Sequence, residues 1–226
     1  MPVTNFPPLE LADEHGLLAL GGDLQVSTLL LAYSRGIFPW PISHEYPLAW
    51  FSPDPRGLVL KENFHLPRSL KKFMNKKPYK LMFNRNFDAV IEHCADVHQK
   101  KASGETWITP EIIMGYKKLY RSGHAFSAEA YNQKDELVGG LYGVHLGSYL
   151  SGESMFFLED NASKFVLASL LQHLFKNGIA WLDTQMVTPV VGSLGGQEIP
   201  RKLFIEKLKL ALENQEGQKV FDSKIR

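Results

Sequence analysis

The chain has 226 residues, 44% apolar and 22% charged, with a net charge of +1. These are the proportions of a folded globular protein, and they exclude disorder, collagen and coiled coil. A chain this long can bury about 70% of the surface its unfolded form would expose, and no apolar run approaches the roughly 20 residues of a membrane span. Length alone predicts one main domain with a smaller appendage. The opening Met1-Pro2-Val3-Thr4-Asn5 carries neither a basic n-region nor an apolar h-region, so no secretion signal is expected. The lone Cys94 excludes an intramolecular disulfide and a cage of Cys ligands. The expectation is a cytoplasmic protein with no membrane partner.

Residues 1–60 read as a small irregular N-terminal domain and 61–226 as the main domain. The first sixty hold eight of the thirteen prolines, which forbids long helices and central strands there. One helix is predicted over Thr28–Arg35, with Ser27 as N-cap and Gly36 closing it. The strings Ile37-Phe38-Pro39-Trp40-Pro41 and Trp50-Phe51-Ser52-Pro53-Asp54-Pro55-Arg56 supply aromatics that either pack on the main domain or line a cleft. Residues 61–80 then hold seven Lys/Arg (Lys61, Arg68, Lys71, Lys72, Lys76, Lys77, Lys80) against Glu62, a local excess of +6. The remainder, with 18 basic and 23 acidic side chains, carries −5. Such a band is the footprint of a polyanion, with nucleic acid first. A solvated lysine-rich helix face is the competing reading.

From Pro78 the periodicities become regular. A strand is predicted over Lys80–Asn84, then a helix on the spacing of Phe87, Val90, Ile91, Cys94 and Val97. Thr109 as N-cap, Pro110 at the first helical position and Glu111 start the next helix, which Gly123 ends. Strands over Ala125–Tyr131, Glu136–Val144 and Ser148–Gly152 form an antiparallel meander. A helix over Ala162–Asn177, a strand over Ala180–Gln185 and a helix over Pro200–Glu213 complete the chain. The order βαα-βββ-α-β-α is α+β and resembles the acetyltransferase-like (GNAT-type) fold, whose mixed sheet splays between its fourth and fifth strands. That analogy concerns fold and does not name the chemistry.

An acetyl-CoA enzyme of that fold cradles pyrophosphate on backbone amides after the fourth strand. Here the corresponding turn, Gly152 to Asp160, offers Glu153, Glu159 and Asp160 instead, which argues against CoA. P-loop, Rossmann and G-x-S-x-G signatures are absent. His124, His145 and His173 lack metal-ligand spacing. Glu153, following the fourth strand, and Asp183 with Gln185, on one face of the fifth, fall where the fold places its active site. The acid–amide pair addresses a ligand jointly, or Asp183 is a strand-end acid satisfied by backbone amides. Spacing leaves both readings open.

Several motifs then carry a family resemblance. Gly16–Leu24, Tyr33, Arg35–Trp40, Trp50–Arg56, Thr106–Thr109, Gly139–Gly143, Gly152–Phe156, Asn161–Lys164, Ser193–Gly195 and Glu198–Arg201 occur in order over about residues 6 to 210. They resemble the leucyl/phenylalanyl-tRNA–protein transferases. The resemblance implies transfer of Leu, less readily Phe or Met, from aminoacyl-tRNA to the N-terminal Lys or Arg of a protein. The added residue marks the acceptor for degradation by the bacterial N-end pathway. It implies Glu153, Asp183 and Gln185 as catalytic residues; because the aminoacyl ester is already activated, no ATP, CoA or metal is expected, and the expected state is a monomer. Leu141, Leu150, Leu167, Leu170 and Leu174 would surround the aminoacyl side chain. Trp40, Trp107 and Tyr33 would lie near the 3′-adenosine, and Arg68, Lys71, Lys72, Lys76 and Lys77 would meet tRNA phosphates. In the expected mechanism the Gln185 carbonyl accepts a hydrogen bond from the attacking amine while Asp183 holds its NH₂ group. Glu153 would bind the donor's α-ammonium or the acceptor's cationic end. The chain departs from the family pattern at Phe157, Thr184 and Val190. The competing functions are a tRNA-sequestering module, for which the basic band suffices, and a peptidoglycan-type aminoacyl-tRNA transferase, which differs in acceptor.

Overall fold

The computed structural model describes residues 2–42, 46–101, 106–214 and 220–221, the side chains of 98–101 excepted. In chain order the elements are β1 (Leu17–Leu20), α1 (Val26–Ser34), β2 (Phe38–Pro39), β3 (Ala49–Phe51), β4 (Arg56–Leu60), α2 (Arg68–Met74) and β5 (Lys80–Phe83). Then come α3 (Phe87–Lys101), α4 (Pro110–Arg121), β6 (Ala125–Tyr131), β7 (Leu137–Leu146), β8 (Tyr149–Phe157) and α5 (Ala162–Lys176). The last are β9 (Trp181–Gln185), α6 (Pro189–Ser193), β10 (Gly196–Ile199) and α7 (Arg201–Glu213).

Among the described residues the strands form two sheets. The small one, β1-β3-β2, belongs to the N-terminal part, and the large one runs β10-β4-β9-β8-β7-β6-β5. Every neighbour in the large sheet is antiparallel except β8 and β9, which run parallel and pair only at Ser151 and Asp183. Beyond that point they part. The fold is therefore α+β with a mixed sheet and a small N-terminal part.

Helices cover the large sheet on both faces, and adjacent glycines in β7 let them approach. Successive strand residues point to opposite faces. A Cβ on Gly139 would sit 2.6 Å from the Ala162 Cβ at the start of α5, and one on Gly140 would sit 2.7 Å from Phe156 and 3.0 Å from Val90 of α3. Two core clusters result. One, around Val166, Leu170 and Leu174, fills the α5 side, and the other joins α1, α3, α4 and the N-terminal aromatics.

Three local readings are corrected. The helix α1 starts at Val26 with Gln25 as its cap residue; Asp23 Oδ1, rather than Ser27, holds this turn by accepting from Gln25 N–H and the Thr28 hydroxyl. The strand β8 continues to Phe157, so Glu153 lies within it and not in a turn after it. Finally, Arg56–Leu60 is a fully buried central strand between β9 and β10, despite the prolines that precede it. The irregular part thus ends near residue 55, five residues before the boundary expected at 60. The start of α4 follows the sequence: Thr109 Oγ1 accepts the Ile112 N–H, with Pro110 at the first position.

Candidate active site

The parting of β8 and β9 leaves a cavity of about 530 Å³. Gly152 to Met155 of β8 form one wall, and Leu182, Thr184, Gln185 and Met186 form the other. Phe38, Pro39, Trp40 and Trp107 close one side, while Leu141, Leu167, Val190 and Val191 make an apolar end. Among the described residues Glu153 is the one ionisable side chain on the lining.

Gln185 reaches Glu153 because β9 is irregular at its end. Asp183 to Gln185, three residues, oppose only Gly57 and Leu58 on β4, so one residue is extra and the strand bulges. Gln185 takes φ +56, a left-handed conformation uncommon outside glycine, and the Met186 N–H closes onto Thr184 O at 2.6 Å. Gly57 makes room: a Cβ there would lie 2.5 to 2.9 Å from the Met186 backbone. In this geometry the Gln185 side-chain NH₂ donates to Glu153 Oε1 at 3.0 Å. Ser151 Oγ donates to the same oxygen at 2.5 Å. Behind Glu153, Tyr116 donates to Oε2 at 3.5 Å, and its hydroxyl is hydrogen-bonded to that of Tyr33.

Burial pushes the Glu153 carboxyl up to about 7. Hydrogen bonds from Ser151 and Tyr33 pull against that rise, the Asp183 charge adds to it, and Arg56 opposes it. Near neutrality the group is therefore poised between acid and carboxylate, as acid–base chemistry at that pH requires. Burial likewise holds the Tyr33 and Tyr116 phenols well above their usual range, with the Glu153 charge adding to the effect. Both are protonated donors.

Asp183 is placed differently from the sequence expectation. Its carboxylate is wholly buried and off the cavity lining, and it does not hold the Gln185 side-chain amide. Oδ1 accepts Arg56 Nε at 2.9 Å and the Gln185 backbone N–H at 2.9 Å. Oδ2 accepts Arg56 Nη2 at 2.7 Å and the Tyr149 hydroxyl at 2.8 Å. The carboxylate that holds the amide is Glu153.

Of the five leucines implied for the aminoacyl side chain, Leu141 and Leu167 line the cavity. Leu150, Leu170 and Leu174 are fully buried in the core cluster on α5 and lie off the lining. Leu182, Met155, Val190 and Val191 stand in their place. Trp40 and Trp107 face the cavity, whereas Tyr33 is fully buried in the hydroxyl pair behind Glu153. The family departures separate as well: Thr184 and Val190 are on the lining, and Phe157 is exposed outside it. Arg68, Lys71, Lys72, Lys76 and Lys77 lie exposed on and just after α2, whose Leu70 anchors it in the α5 core. Among the described residues none of these five joins an ion pair.

A family model described as leucyl/phenylalanyl-tRNA protein transferase matches residues 58–209, and one for the N-terminal domain of the same transferase matches 22–54. The chain belongs to the leucyl/phenylalanyl-tRNA–protein transferase family. Relatives bearing that name include one from Pseudoalteromonas atlantica, 45% identical over 96% of this chain and 92% of its own length. Another, from Erwinia tasmaniensis, is 45% identical over 90% and 87% of the two chains. A third, from Pseudomonas syringae pv. syringae, is 44% identical over 92% and 90%. The chain is thus an aminoacyltransferase. The two matched stretches meet between residues 54 and 58, where β4 enters the large sheet. For this transferase the cavity between β8 and β9 is the candidate active site. Arg56, Tyr116, Tyr149 and Ser151 were not singled out from the sequence as site residues. Arg56 alone had a signal, as the last residue of the Trp50–Arg56 motif.

Proposed function

We propose that the enzyme transfers leucine, and less readily phenylalanine or methionine, from aminoacyl-tRNA to the N-terminal Lys or Arg of acceptor proteins. The product would enter the bacterial N-end degradation pathway in the cytoplasm, with the enzyme acting as a monomer. The observation that carries the reading is the hydrogen-bonded Glu153–Gln185 pair on an otherwise largely apolar cavity flanked by Trp40 and Trp107. The parting of β8 and β9 also supports the acetyltransferase-type description of the sheet.

The aminoacyl ester is already activated, so attack by a neutral α-amine needs no ATP, CoA or metal. The new C–N bond forms as the C–O bond to the tRNA ribose breaks, and the leaving ribose oxygen takes up the proton that Glu153 has received from the amine. With its NH₂ committed to Glu153, Gln185 offers its carbonyl to an N–H of the attacking amine. Glu153 as carboxylate receives the amine's surplus proton. Holding two bound reactants in line can contribute roughly 7–11 kcal/mol in well-oriented cases. The apolar end accepts leucine, and its selectivity is modest because a methylene is worth about 1–3 kcal/mol. Trp40 and Trp107 provide faces for the 3′-adenosine, where stacking is worth about 1–3 kcal/mol per base. The α2 band meets phosphates of the acceptor stem.

The test is transfer of labelled leucine from tRNA to a peptide beginning with Arg, with an N-terminally blocked peptide as control. Transfer to the free peptide alone is the expected result. Tight tRNA binding without transfer to any peptide amine would instead favour a sequestering module.

A further inference from the structure

Arg56 is a fully buried cation at the junction of three parts of the molecule. It extends from β4, and its Nη1 donates to Gly36 O in the N-terminal part at 3.0 Å. Its guanidinium carbon lies 4.9 Å from the Phe38 ring centre and 4.4 Å from that of Phe204 on α7. Its Nε and Nη2 form a two-pronged bond with Asp183. Burial opposes its charge, and the Asp183 carboxylate more than offsets this, holding the guanidinium above its ordinary range.

An ionised carboxylate has about four acceptor sites. Asp183 uses two on Arg56, one on Tyr149 and one on the Gln185 backbone N–H. No site remains for substrate, and no surface is exposed. Asp183 therefore acts through the residue it holds. That residue is Gln185, in a left-handed conformation that needs an external anchor to persist. The only pairing of β8 with β9, Ser151 with Asp183, lies at this anchor, so its other end is the serine that holds Glu153.

We infer that Arg56 is a positioning residue of the transfer reaction: by filling Asp183 it locks the backbone of Gln185 and so sets the amide against Glu153. The lysine ammonium cannot replace it, because one point charge does not reproduce the planar fork. The inference rests on the transfer reaction proposed above.

The test compares wild type with Arg56→Met/Asp183→Leu, Arg56→Lys and Tyr149→Phe in leucine transfer to an Arg-peptide. The first replaces the buried pair by apolar groups, a change that often leaves stability unharmed. Arg56→Lys is assayed below its melting point. Tyr149→Phe removes one hydroxyl and little volume, and carries the test where both pair variants fail to fold. Absence of transfer by wild type refutes the proposed reaction and leaves Arg56 out of the question. With an active wild type, the folded pair variants should lose about 100-fold or more in kcat, the scale of a 1 Å misplacement. KM for leucyl-tRNA should stay unchanged, and Tyr149→Phe should lose several-fold in kcat. A folded variant of the pair with wild-type kcat overturns the proposal, as does a loss residing wholly in KM. Where only Tyr149→Phe folds, an undiminished kcat does the same.

Discussion

Gln185 and Glu153 are joined amide to carboxylate at 3.0 Å although 32 residues separate them. The bond orients both partners. It fixes which end of the Gln185 amide faces the cavity, and it occupies the same Glu153 oxygen that Ser151 reaches. Gln185 and Glu153 thereby line the same cavity as one hydrogen-bonded unit.

Glu153→Gln should remove the acid limb of the pH–rate profile. In wild type, kcat/KM should rise through about pH 7 as the carboxylate forms, because burial sets the carboxyl at about 7. Stability carries its own signature. The folded carboxyl holds its proton up to about 7, against an ordinary value of 4.5, so this contribution is full below 4.5 and is lost as pH rises to about 7. Urea denaturation from pH 4 to 8 should therefore show Glu153→Gln gaining on wild type over that interval and levelling off above it. A constant difference across the range would place the carboxyl in water.

Tyr33→Phe separates two positions for that side chain. The Tyr33 hydrogen bond lowers the Glu153 pKa, so its loss should move the acid limb to higher pH. KM for leucyl-tRNA should hardly change. A raised KM with an unmoved limb would return Tyr33 to the 3′-adenosine.

The leucines divide into two kinds of variant. Leu167→Ala enlarges the cavity and should raise the use of Phe relative to Leu. Leu170→Ala and Leu174→Ala should leave that ratio alone while costing about 2–5 kcal/mol of stability, as core truncations do. Competition between the two charged tRNAs, run beside thermal melts, reads both.

The band on α2 predicts an electrostatic effect without a catalytic one. Changing Lys71, Lys72 and Lys76 together to Ala should weaken tRNA binding and flatten its salt dependence, since fewer counterions are displaced. Saturating kcat should persist. Equal affinity and slope would make the band a solvated face.

Local signals carried much of the fold into the sequence. Thr109-Pro110 announces α4, and the apolar spacing of Phe87 to Val97 announces α3. Gln185 was recognisable on a strand that lines the opening, and Glu153 beside one, although as part of a turn and not of β8. What joins them was hidden, because pairing is long-range: nothing near Arg56 indicates that its partner lies 127 residues ahead. Strand alternation also misplaced the Asp183–Gln185 relationship, since it assumes a regular strand and β9 bulges at that point. The extent of β8 was lost for a related reason. Past Ser151 the strand keeps its pairing with β7 but lines the cavity instead of pairing with β9, and there Gly152, Glu153 and Ser154 read locally as a turn.

The position of β4 has a consequence for synthesis. It leaves the ribosome early, yet both its neighbours in the large sheet, β9 and β10, come from beyond residue 180. Until they emerge, Arg56 has no carboxylate to meet, and until Phe204 follows, its guanidinium lacks one of its two aromatic covers. Closing a contact that distant comes at an entropic cost that only late pairing can offset. The candidate active site is therefore among the last regions of the chain to form. A nascent chain halted before β9 would carry its α2 lysines but neither Gln185 nor the carboxylate that meets Arg56.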